Sequence, residues 1–165
     1  MSTSTSTRTI TATHTATYLT DAIFGSLGTL LAHLGLGSTA LTTTWATKYA
    51  PAIATWIRET SLDAVVLECT TPAGTKHRFD FEIDYASGDG VFRNRSQLLA
   101  GYYDKLDQLP PNTTWRIVCT YRFSHTPQDG WSTTALAAGS GTTLSLGTLA
   151  RAPHANVGLK TYGGA

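Results

Sequence analysis

Between Thr75 and Tyr85 the side chains alternate without a break. Phe79, Phe81, Ile83 and Tyr85 take one face of an extended chain, and Asp80, Glu82 and Asp84 take the other. A period of two marks a strand with one buried face and one wet face. Such a strand needs a neighbour and a covering layer. Upstream, Asp63 to Thr71 carries Val65, Val66, Leu67 and Cys69, and Pro72-Ala73-Gly74 separates the two runs. This predicts a β-hairpin. A third run, Trp115 to Phe123, alternates again. Trp115, Ile117, Cys119, Tyr121 and Phe123 point inward, and Arg116, Val118, Thr120 and Arg122 point outward. That density of inward aromatic and branched residues predicts a core strand.

The covering layer is written in a different period. Leu19, Ile23, Leu27, Leu30, Leu31 and Leu34 form one helical stripe, which Gly35 and Gly37 end. Ser38 is placed to cap a second helix, with Trp45, Tyr49, Ile53, Trp56 and Ile57 as its stripe and Pro51 as its kink. Ser96 opens a third, with Leu98, Leu99, Tyr102, Tyr103 and Leu106 on its apolar face and Pro110-Pro111 as its stop. Residues 3 to 17 carry Thr at every odd position. Threonine favours strands, so this segment reads as a mobile tail over 1–7 followed by an edge strand over 8–14.

Composition excludes several function classes. The chain has 165 residues, enough for one domain. Only 14% are charged, and 30 are threonine. Net charge is +1, and no two Lys or Arg are adjacent. Nucleic-acid binding needs a basic stripe against phosphates, which is missing. No apolar run suits a signal peptide or a membrane span, so the expected setting is cytoplasmic with no membrane partner. Cys69 and Cys119 sit inside apolar strands and read as buried, reduced thiols.

Candidate chemistry is sparse. Asp80, Glu82 and Asp84 share a strand face, as carboxylates that hold a divalent metal do. The plainer reading is the wet face of an antiparallel strand. A metal-dependent enzyme built on these three is the first rival function. Self-assembly through the threonine-rich edge is the second. His14, His33, His77, His125 and His154 stand too far apart for a zinc pair. No nucleophile elbow or phosphate loop occurs. The reading is therefore no catalytic residue, no metal and no cofactor.

After Phe123 the pattern changes. Five of the six residues from 137 to 142 are Ala, Gly or Ser. Apolar residues come in short groups: Trp131; Leu136; Leu144, Leu146 and Leu149; Val157, Leu159 and Tyr162. No helical period fits them. The segment reads as an extended tail that wraps onto the rest in more than one way.

This order of elements resembles HORMA-domain proteins, specifically the small bacterial ones of CBASS-type anti-phage signalling, HORMA family 1. The residues that carry the likeness are His14-Thr-Ala-Thr-Tyr18-Leu-Thr-Asp21, Trp56-Ile57, Val66-Leu67-Glu68, and Ile83-Asp84-Tyr85 with Asp89-Gly90. Gly130-Trp131-Ser132 and Leu144-Ser145-Leu146-Gly147-Thr148 extend it. The resemblance implies an α+β fold with three helices on a mainly antiparallel sheet. It also implies one domain over 1–165, with a core over 8–123 and a C-terminal safety belt over 124–165. Such a belt closes over a short closure-motif peptide that joins the sheet as a strand. The peptide-binding residues implied are Tyr102, Tyr121, Phe123, Trp131, Leu144, Leu146 and Leu149. The partners implied are that peptide, a cGAS-like nucleotidyltransferase making cyclic oligonucleotides, and an AAA+ ATPase that reopens the belt from the N-terminal tail. A chain ending near Phe123 is expected to lose capture yet stay soluble in part.

Overall fold

The hairpin is present as read. In a computed structural model, which describes residues 3–85, 92–94, 101–128, 131 and 143–162 and gives the backbone alone for 3–10 and 143, β1 (Leu62–Thr70) pairs antiparallel with β2 (Lys76–Asp84). Gly74 turns the chain at φ +88, and its N–H donates to the Thr71 carbonyl at 2.8 Å. β3 is the short pair Arg93–Asn94, β4 is Thr114–Tyr121, and β5 (Thr143–Arg151) and β6 (Asn156–Tyr162) form a second hairpin. The sheet order is β3-β5-β6-β2-β1-β4, and every pairing is antiparallel. Among the described strands β4 therefore ends the sheet, while the inward residues of the strand read as core, Trp115, Ile117, Cys119 and Tyr121, do pack on the core. Alternation records which face is buried, not how many neighbours a strand has.

Helices cover one face. α1 (Thr3–His33) runs through most of the segment assigned to the tail and all of the 8–14 edge strand. The reading of an edge strand there is wrong. The apolar stripe of α1 continues backward through Ile23, Leu19, Ala16 and Thr15, all buried. Small residues at 12, 15 and 16 disguise it. Thr20 Oγ1 donates to the Ala16 carbonyl at 2.6 Å, which satisfies the hydroxyl within the helix.

The second helix splits where Pro51 predicted a break. α2 (Thr39–Thr44) leads into a π-helical turn at Trp45–Tyr49 and then α3 (Ala50–Arg58), with Pro51 in its first turn. Ser38 makes no side-chain cap bond; its carbonyl accepts from Thr42 instead. Of the third helix, only its last turn from residue 101 is described, and Leu98 and Leu99 lie outside the described residues. Tyr103 is buried and its hydroxyl is hydrogen-bonded to Ser26, whereas Tyr102, expected on the same apolar face, is 46% exposed.

The core lies between these helices and the odd-numbered face of β1 and β2. Leu19, Leu27, Trp56, Val65, Leu67 and Phe81 are all fully buried there. The far face carries ion pairs instead: Arg78 with Asp80 at 2.7 Å, Arg116 with Glu68 at 2.8 Å and Lys160 with Glu82 at 3.0 Å.

Candidate functional site

One side of β4 meets no described strand, and the register of its backbone groups can be derived. Thr71 donates its N–H to Thr75, so the odd residues of β1 face β2. Ala64, Val66 and Glu68 must then face β4, where they meet Thr120, Val118 and Arg116. The Arg122 N–H donating to the Ser61 carbonyl at 2.8 Å continues the same alternation. The N–H and C=O groups of Ile117, Cys119 and Tyr121 therefore point out of the sheet. No described strand pairs with them.

A groove of about 600 Å³ runs along this edge. Its aromatic wall is Trp56, Tyr121, His125 and Trp131. The Trp56 ring meets the other three edge-on, at 5.0, 5.4 and 5.1 Å between centroids. Cys119 lies between Ile117 and Tyr121 along the floor, and Arg116 and Val118 reach it from the other face of the strand. Burial raises both the Cys119 thiol and the Tyr121 phenol above their usual pKa ranges, so both stay neutral at physiological pH. Cys119 is thus no nucleophile.

The chain leaving β4 is tied down where it crosses α3. Trp56 donates its indole N–H to the Thr126 carbonyl at 2.7 Å. Thr126 donates its N–H and its hydroxyl to the two oxygens of Glu59, at 2.9 and 2.8 Å. Trp131 donates its indole N–H to the Lys48 carbonyl at 3.1 Å. Desolvation pulls the Glu59 pKa upward, but the bonds from Thr126 and Ser61 and the nearby His125 outweigh it, and the net shift is down. A carboxylate with a depressed folded pKa stabilises above its unfolded value, about pH 4.3, and loses that effect as pH falls through the folded value. Hydrogen exchange at the Thr126 amide, corrected for its intrinsic rate, should therefore accelerate as pH falls below the ordinary glutamate range. In a Glu59→Gln chain this pH dependence should vanish.

Of the residues expected at the site, the structure unites Tyr121 and Trp131. Phe123 lies just beyond, 52% exposed, with Arg122 over its ring. Tyr102 does not line the groove. Leu144, Leu146 and Leu149 sit on β5, four places across the sheet from β4, or roughly 19 Å at ordinary strand spacing. Leu146 and Leu149 are buried, and Leu144 is 58% exposed. The structure does not bring these leucines to the groove. Trp56, which sequence spacing assigned to packing, is fully buried and backs the wall, packed edge-on against Tyr121, His125 and Trp131. Nothing in the sequence around Arg116, Cys119, His125 or Glu59 marks them, because only the fold places them at one edge.

The carboxylate trio does not converge. Asp80 is buried against Arg78, Glu82 pairs with Lys160, and among the described residues no three potential ligands cluster for a metal ion. None of the described helices is long and apolar enough to cross a membrane.

An open strand edge beside an aromatic groove, with a C-terminal hairpin docked on the opposite side of β2, narrows the family. The model of the family described as bacterial HORMA domain 2 matches residues 4–161. The chain is a bacterial HORMA-domain protein. The matching model is that of the second bacterial HORMA family, where the resemblance pointed to the first. A search of the curated proteins returns no match. Solved structures agree on the HORMA fold. A chain of the mitotic checkpoint complex superposes with a TM-score of 0.69 at 10% identity, over 90% of this chain and 97% of that one. C. elegans HTP-2 bound to the HIM-3 closure motif gives 0.62 at 13% identity, over 90% and 89%. HTP-2 bound to HTP-3 motif-6 gives 0.64 at 13%, over the same shares.

Proposed function

We propose that this HORMA protein is a peptide-capturing switch. Its safety belt, residues 124–165, closes over a closure-motif peptide that adds to β4. The observation that carries this reading is the row of outward backbone groups at Ile117, Cys119 and Tyr121 beside the aromatic groove. An open edge of that kind is a template for strand addition. The HTP-2 structures, whose bound closure motifs accompany the same fold, support it. Tyr121 and Trp131 contact the peptide directly and Phe123 borders it. Leu146 and Leu149 instead anchor the hairpin that keeps the belt on the far side of β2.

In this reading the protein has no catalytic task. The peptide-bound form binds and activates a cGAS-like synthase of cyclic oligonucleotides in anti-phage defence. An AAA+ ATPase resets it by pulling from the N-terminal segment. The bacterial HORMA family and the resemblance to anti-phage signalling proteins support this assignment.

Proline at an outward N–H removes a donor that only an added strand would use, and it is tolerated at such edge positions. Ile117→Pro should therefore leave a folded chain that binds peptide at least tenfold more weakly, as titration with labelled peptide would show. It should also fail to stimulate a cGAS-like synthase. Unchanged binding by folded Ile117→Pro would rule out strand addition at β4.

A further inference from the structure

Given strand addition at β4, we propose that the groove selects an alternating peptide, with a bulky apolar side chain opposite Cys119 and an acidic residue on the face shared with Arg116. This rests on the peptide-capturing reading and adds to it the class of peptide captured.

The register fixes the faces. A strand that bonds to Ile117, Cys119 and Tyr121 sets its partner residues opposite them, with side chains on the same side of the sheet. That side faces α3 and the aromatic wall. Cys119 is small and lies between the larger Ile117 and Tyr121 in the lining of the groove, which Trp131 shares. Both indole N–H groups are already committed, to the Thr126 and Lys48 carbonyls. Trp56 is fully buried behind the lining, so what the indole of Trp131 presents to the groove is carbon and ring face, and the neutral thiol adds no charge. A polar side chain would lose its water there and gain no bond from the committed indole N–H groups. A Leu, Ile, Phe or Met would bury most of its surface, which is worth tenfold or more in affinity, about the effect of one such side chain.

The interleaved residues fall on the other face, beside Arg116, Val118 and Thr120. Here the charges are unequal. Arg116 and Lys76 both lie on the same oxygen of buried Glu68, at 2.8 and 3.7 Å, and both are more than 40% exposed. Two cations share one anion. Thr120 donates to Asp63 at 3.3 Å, and Arg122 adds a further cation, stacked over Tyr85 and Phe123. Among the described residues, this end of β4 presents two partly exposed cations, Arg116 and Lys76, around one buried carboxylate. A peptide carboxylate at this rim is favoured and a Lys or Arg disfavoured, by roughly twofold to fivefold for partly exposed pairs.

Panning a random decapeptide display library on the full chain tests both halves. The selected peptides should share a period of two, apolar at alternate positions and enriched in Asp or Glu between them. In synthetic copies, anchor→Ala should weaken binding tenfold or more. Interleaved Asp→Lys should weaken it about twofold to fivefold, and Arg116→Gln should erase that difference while Arg116→Lys keeps it. Selected peptides without the alternation, or indifferent to Asp against Lys in the unaltered chain, overturn the proposal. If Ile117→Pro loses those same peptides, strand capture still stands and only the selectivity falls. If Ile117→Pro selects them equally well, or no peptide is selected at all, the peptide-capturing reading falls too.

Discussion

A Trp56→Ala chain is expected to lose about 3–5 kcal/mol of folding stability, the usual range for a buried tryptophan, and to lose peptide capture even where it remains folded. Trp56 is fully buried and meets Tyr121, His125 and Trp131 edge-on. Its indole N–H holds the Thr126 carbonyl at 2.7 Å. Removal leaves a cavity under the groove and frees the chain crossing α3. Trp56→Phe separates the two effects. The ring contacts largely remain, but the bond to Thr126 is lost, at a cost of about 1 kcal/mol. Denaturant unfolding gives the stabilities, and peptide titration at a temperature where both variants are folded gives the binding. If folded Trp56→Ala binds peptide like the parent, the aromatic wall is packing alone.

That double role explains which parts of this fold were legible in the sequence. Period carries burial. The second half of α1, the β1–β2 hairpin and the buried face of β4 all follow from where apolar residues recur. Period fails where small residues occupy the buried positions. Ala16 and Thr15 lie on the same stripe as Leu19 and Ile23, yet the alternating threonines imposed a false period of two. It fails again in β5, where register shifts between Ser145 and Gly147 and between Thr148 and Ala150 break the strand's own alternation. Gly147, at φ +102, sits within the first of these irregularities.

The groove was less legible still. Tyr121 and Trp131 were expected at the site, but alternation cannot tell an edge strand from a central one. Only sheet order reveals that the outward groups of Ile117, Cys119 and Tyr121 meet no described strand. The same order separates the three β5 leucines from the groove. Grouped leucines signal that a tail buries something, not which side of the sheet it buries against.

The sheet order also changes what truncation should do. A chain ending at Phe123 loses β5 and β6 together. β6 is hydrogen-bonded along β2 from Arg78 to Asp84, so β2 becomes a long exposed edge. Leu149, Ala150, Val157 and Leu159, all essentially buried, leave the core. The three larger ones contribute about 1.5–3 kcal/mol each, which together approaches the entire stability of a typical domain. The truncated chain is therefore expected to lose its cooperative unfolding transition and aggregate through β2, not to persist as a partly soluble core. Leu149→Ala is the milder form of the same test, with an expected cost of about 2–5 kcal/mol and the groove intact. A monomeric, cooperatively unfolding 1–123 fragment would show that the hairpin is a detachable strap. An aggregating fragment alongside a folded, peptide-binding Leu149→Ala chain would show the opposite: the C-terminal hairpin belongs to the core, and any movement of the belt must supply an alternative burial site for Leu149, Val157 and Leu159 before it can leave β2.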